Sequence, residues 1–144
     1  MKLETIYEHW SSDSKIDRTE LASESIKIPQ LHAKYFKFYS EERLRLKQYE
    51  SEYKILYKQK FEYYMGTMDE SEQKELGWEP QLLKILRTDL PTYIDADQDI
   101  INLNLKISMQ KEKIDVLDNI IRTINNRGFQ IKNVIDWEKF KTGQ

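Results

Sequence analysis

Between Pro29 and Gly66, and again between Pro91 and Gly128, the chain contains neither proline nor glycine, and its apolar side chains recur at alternating steps of three and four. Few folds accept two such runs. Uninterrupted segments with a helical period form long helices, and two of similar length with a connection between them fold back as an antiparallel hairpin. With only four glycines and three prolines, the chain has too few turn formers for a many-stranded sheet. The sequence therefore predicts an all-α fold.

The first run predicts a long helix over residues 29–65, with Pro29 in its first turn and Gly66 at its stop. Its seam reads Tyr35, Tyr39, Glu42, Leu46, Tyr49, Tyr53, Leu56, Lys60 and Tyr63, rich in tyrosine and interrupted by charge at Glu42 and Lys60. The second predicts a helix over 96–127, with seam residues Ile100, Leu103, Ile107, Gln110, Ile114, Leu117, Ile121 and Ile124. Asp95 and Gln98 stand at capping-box spacing before it, and Gly128 closes it. An acidic connection, 66–95, joins the two, with short helices expected near 69–76 and 80–88. Short helices are also expected within 1–28, from Leu3, Ile6, Tyr7 and Trp10 and after the Asp17–Glu20 cap. A last amphipathic piece, 128–144, carries Phe129, Ile131, Val134, Ile135, Trp137 and Phe140. The whole is read as a single helical domain, 1–144. Its second helix and tail carry more apolar surface than one hairpin seam covers, which predicts self-association through those six tail residues in a closed, ring-like homo-oligomer.

Net charge is only −2, but it is unevenly spread. Residues 27–64 carry nine basic and five acidic side chains, whereas residues 66–99 carry three and nine. Such a mosaic draws a polyanion to one face and repels it from another. The basic segment KILYKQKFEYYMG, 54–66, mixes lysines with rings. Phosphates need cations and unpaired bases need flat faces, so Lys54, Lys58, Lys60 and Tyr57 are the candidate contacts for single-stranded DNA. Tyr57 fits either base stacking or hairpin packing, and Tyr53, Phe61 and Tyr63 fit packing. Lys60 stands on the seam, turned by about 160° from Lys58, so it meets the same strand only if the helix end frays. Secondary cations for a strand are Lys111, Lys113, Arg122 and Arg127.

Catalytic inventories are thin. There is no cysteine, which suits a reducing compartment, and His9 and His32 stand apart. Glycines are too sparse for a phosphate-cradling loop. Asp95, Asp97 and Asp99 alternate like calcium ligands, but Ile100 replaces the turn glycine and Lys106 the bidentate glutamate, so they read as helix N-terminal acids. No enzyme activity, cofactor or metal is expected. No stretch approaches the roughly 20 apolar residues of a membrane span.

Three segments resemble a known pattern: KQKFEYYMG at 58–66, the stretch from Tyr93 through Asp99 into Ile100 and Ile101, and the tail 124–144. Within the tail the similarity falls on Ile124, Arg127-Gly128-Phe129, Ile131-Lys132, Ile135-Asp136 and Phe140, and near the start on Ile16-Asp17 and Thr19. The chain resembles the UvsY-type recombination mediators of T-even phages, over nearly its whole length at low identity, with an insertion between Gly66 and Trp78. The resemblance implies a protein of the host cytoplasm that binds single-stranded DNA, contacts a phage recombinase and a single-stranded-DNA-binding protein, and helps the first displace the second. It implies rings of six or seven subunits supported by the C-terminal region. In the family's basic motif the DNA-binding pair is a lysine and an arginine; Lys58 matches the first and Lys60 replaces the second, keeping the charge and losing the planar fork. The competing expectation is a coiled-coil adaptor or structural phage protein that does not bind DNA. A helical regulator of duplex DNA lacks the helix-turn-helix spacing it would need.

Overall fold

A computed structural model describes residues 1–143 and is all-helical among them. The helices are α1 (Leu3–Asp13), α2 (Leu21–Met65), α3 (Glu70–Glu75), α4 (Leu90–Asp95) and α5 (Gln98–Lys141), with a 3₁₀ turn at Arg87–Asp89. The chain forms two compact units: Met1–Leu44 with the chain from Gln110 onward, and Arg45–Met109.

In the first unit the early part of α2 and the later part of α5 run antiparallel. From Glu24 to Glu42 on α2, the partners run backwards from Arg127 to Gln110 on α5. Both seams predicted for this region are buried or half-buried, and α1 covers them with Ile6 and Trp10. The core is Ile6, Tyr35, Leu117, Ile120 and Ile124, each isoleucine or leucine contributing about 1.5–3 kcal/mol by leaving water. Trp10 and Phe38 both meet Tyr35 edge-on, with ring centroids 5.6 Å away in each pair. The charge predicted in the seam at Glu42 is satisfied there: the Gln110 amide donates to both its carbonyl and its carboxylate.

In the second unit the later part of α2 and the early part of α5 again run antiparallel, from Glu52 with Lys106 to Lys60 with Asp97. Met68, Leu90, Ile94, Ile100 and Ile107 are its buried apolar residues. Gly66, at φ +82°, ends α2. The N–H of Thr67 reaches the Glu62 carbonyl and that of Gly66 the Tyr63 carbonyl, closing the helix as a left-handed residue allows.

Several boundaries differ from the sequence reading. Helix α2 begins at Leu21 rather than at 29, so Pro29 lies inside it. Its ring forfeits the hydrogen bond to the Ser25 carbonyl, but both residues are exposed and water can serve that oxygen. Helix α5 does not stop at Gly128 and runs on to Lys141, so the tail forms roughly its last four turns rather than a separate helix. Gly128 lacks a positive φ. Arg127 and Ile131, both buried, extend the three–four seam across it, outweighing the roughly 1 kcal/mol that glycine costs a helix. The N-terminus of α5 is capped by Asp97, whose Oδ1 accepts the N–H groups of Asp99 and Ile100, because Asp95 is still the last residue of α4. No helix forms at 80–88. Gln81 instead donates to the Tyr64 carbonyl and accepts the Leu83 N–H, holding the chain irregular until the 3₁₀ turn.

The six residues expected to drive assembly divide. Ile131 is buried within its own chain and Val134 is half-buried, because both continue the α5 seam. Phe129, Ile135, Trp137 and Phe140 are exposed, the first and last at 70% and 73%, and the Trp137 and Phe140 rings stack with centroids 5.6 Å apart.

Candidate nucleic-acid interface

Along α2, Lys54 and Lys58 share one face of the helix and are exposed. Lys58 reaches Glu62 only at 3.9 Å and remains 78% exposed. No carboxylate among the described residues lies within ion-pair distance of Lys54. Lys47 is likewise exposed and on the same face, with no ion pair among the described residues. The helical period would have found it, since positions 47, 54 and 58 fall within about 40° of one another. Tyr57 and Phe61 are half-buried beside this face, and the Tyr57 ring leans on Tyr53 at 6.1 Å. Tyr57 thus presents one side to solvent while packing the other.

Lys60 departs from the expectation. It is 3% exposed, and its ammonium lies 3.1 Å from Asp97 Oδ2 and 2.9 Å from Asp99 Oδ2. The Trp78 ring centroid is 3.7 Å away, close enough for a desolvated cation–π contact. α2 stays helical through Met65 rather than fraying, so Lys60 keeps its seam position and is withdrawn from the cations a strand can meet. Asp97 is the hub of this cluster, since Tyr64 also donates to its Oδ2 at 2.6 Å. Burial alone would raise the Asp97 carboxyl; the hydrogen bonds from Tyr64, Lys60 and the Ile100 N–H outweigh it and hold the group below the ordinary carboxylate value. Asp97 and Asp99 are accordingly the partners of a lysine, and Asp97 also caps α5.

Among the secondary cations, Arg127 is also buried, bonded to the carbonyls of Asp13 and Lys15 and to Glu24. Arg122 is exposed but paired with Asp118 at 2.8 Å. Lys111 is exposed and Lys113 half-buried.

These buried and half-buried ionic groups give stability a defined pH dependence. Burial raises the Glu24 and Asp13 carboxyls, but Arg127 and Lys27 on the first, and Lys34 and Tyr35 on the second, bring each below its usual value. Groups lowered on folding stabilise fully above the unfolded carboxylate range of about 4, and that contribution fades as pH falls through the folded values. Tyr35 and Tyr64 move the other way, raised by burial and by the carboxylates they donate to. Their contribution is complete below about 10 and fades as pH climbs beyond it. The urea midpoint is therefore expected to be flat through neutrality and to fall at both extremes. A midpoint unchanged from pH 5 to pH 3 would contradict the assignment.

A family model described as "Recombination, repair and ssDNA binding protein UvsY" matches residues 9–144. The recombination protein uvsY of Enterobacteria phage T4 is 25% identical over 144 residues, covering all of both chains. Crystal structures of the bacteriophage T4 recombination mediator protein UvsY superpose at a TM-score of 0.85 and 24% identity. Lattice type II covers 99% of this chain and 98% of that one, and lattice type IV covers 97% and 99%. An all-helical fold with a lysine-lined outer helix face thus stands in a chain whose family binds single strands. The chain belongs to the UvsY family of recombination, repair and single-stranded-DNA-binding proteins. Among the described residues, no helix is long and apolar enough to cross a membrane.

Proposed function

We propose that this protein is a recombination mediator of the host cytoplasm, which binds single-stranded DNA and helps load a phage recombinase onto DNA covered by single-stranded-DNA-binding protein. One observation carries the DNA-binding site: Lys54 and Lys58 stand exposed on one face of α2 beside the half-exposed ring of Tyr57, with at most a loose ion pair to Glu62. Each phosphate contact of this kind is weak and sensitive to salt. Repetition in a ring of six or seven subunits raises the effective concentration of every further contact. The exposed side chains of Phe129, Ile135, Trp137 and Phe140 support such assembly, since they form an apolar end that water covers poorly. A strand held by many weak contacts is bent and retained, yet released locally, as handing it to a recombinase requires. The single domain spanning 1–144 is proposed as the unit of assembly.

The test is a Lys54→Ala/Lys58→Ala variant, measured by fluorescence anisotropy on oligothymidylate across a salt series, with assembly mass followed by sedimentation. The variant is expected to keep its mass and lose more than about tenfold in affinity near 0.1 M salt. A wild-type chain with no salt-dependent single-strand affinity would favour the adaptor reading instead. Loading itself is read from recombinase filament formation on coated strands, which the variant should slow.

A further inference from the structure

The outer face of α2 in the second unit repeats the spacing of its buried seam. Lys47, Ser51, Lys54 and Lys58 follow one another at steps of four, three and four, and all four are exposed. They form a ridge about 16 Å long, turned about 140° away from the seam that holds Lys60. Neither Lys47 nor Lys54 has a carboxylate within 4 Å among the described residues, and Glu62 meets Lys58 only at the ridge's end, at 3.9 Å. Glu50 borders the ridge without ion-pairing to either neighbouring lysine, and Glu52 is directed to Lys106. Along one edge lie Tyr57 and Phe61, one turn apart and each half-buried. On the opposite edge Ile55 stands exposed.

We infer that the single strand runs along α2 itself, its phosphates on the Lys47–Ser51–Lys54–Lys58 ridge and its bases toward Tyr57 and Phe61. The inference rests on the single-strand reading above and extends it. Lys47 becomes a phosphate contact, the partner of Lys58 across the site is Lys54 rather than Lys60, and the Ser51 hydroxyl offers a small donor between them. A row of cations with one loose ion pair, at its end, fits a polyanion better than a protein partner, whose carboxylates occur singly. An aromatic edge on one side only gives the bases a preferred direction without reading their sequence.

The decisive comparison sets Lys47→Ala against wild type and against Lys74→Ala, an exposed lysine of the acidic helix α3. Oligothymidylate affinity is measured across a salt series with the assembled protein, and urea midpoints are recorded in parallel. Losing one phosphate contact per subunit should lower the slope of log affinity against log salt by about 0.7 for each subunit engaged. The Lys47→Ala variant should show that loss with an unchanged urea midpoint, Lys47→Arg should retain the wild-type slope, and Lys74→Ala should leave it unaltered. A wild-type slope in Lys47→Ala, alongside a reduced slope in Lys58→Ala, would overturn the ridge and leave the binding function standing. Absence of salt-dependent binding in the wild type would remove the function itself, and the ridge with it.

Discussion

Lys60→Ala is expected to cost about 3–5 kcal/mol of unfolding free energy, far more than any exposed lysine of the same segment. The native ammonium sits between Asp97 Oδ2 at 3.1 Å and Asp99 Oδ2 at 2.9 Å, under the Trp78 ring. Asp99 is half-exposed and can return to water. Asp97 cannot: it is 9% exposed and tied by Tyr64 and by the first N–H groups of α5. Removing the lysine leaves that carboxylate buried beside a second negative charge, the costly half of a broken ion pair. A Lys60→Met/Asp97→Asn double variant should recover most of the loss, because the methionine fills the volume and the asparagine still caps α5. Chemical denaturation of wild type, Lys60→Met, Asp97→Asn and the double variant closes the cycle. A single-variant loss below about 1 kcal/mol would mean that Lys60 is less committed to Asp97 than its distances indicate.

The seam that holds Lys60 was legible in the sequence, and so was the fold class. Spacing alone placed Tyr35, Glu42 and Lys60 on one side of α2 and Gln110, Leu117 and Ile124 on one side of α5, all now buried. What spacing could not supply was the far partner. Asp97 pairs with a lysine distant in sequence, and Gln110 with a glutamate 68 residues away, so two charged seam positions read as interruptions rather than as paired groups. Punctuation misled in two places for the same reason. Pro29 and Gly128 carry local penalties, yet each sits on an exposed helix face while its neighbours Ile28 and Arg127 pack inward, and tertiary burial won. The candidate site was half legible. Composition pointed to the lysines and rings of 54–64, but only the helix angle separates Lys54 and Lys58 from Lys60, and the same angle brings in Lys47. Of the tail's apolar residues, Ile131 is not exposed, because the α5 seam continues through it.

Arg127→Ala is expected to destabilise the first unit by a similar amount, about 3–5 kcal/mol. Its guanidinium donates to the Asp13 carbonyl at 2.8 Å, to the Lys15 carbonyl at 2.9 Å and to Glu24 Oε2 at 3.1 Å. One side chain of α5 thus holds the end of α1, the link after it and the start of α2. Its Nε is buried without a partner among the described residues, a cost tolerated because the rest of the planar fork satisfies three acceptors at once. Alanine would strand two carbonyls and leave Glu24, 5% exposed, with Lys27 alone at 3.3 Å. Lysine keeps the charge but, as a point donor, cannot span both carbonyls and the carboxylate, so Arg127→Lys should recover only part of the loss. Amide exchange separates this from general weakening: protection in α1 should fall before protection in the Leu117–Ile124 core, because α1 loses its tether while the α2–α5 seam stays packed. Uniform loss across both would argue that Arg127 supports the seam itself. The Arg127-Gly128-Phe129 segment then carries two roles on adjacent residues, an inward guanidinium that closes the chain on itself and an outward ring, 70% exposed, left for what binds outside.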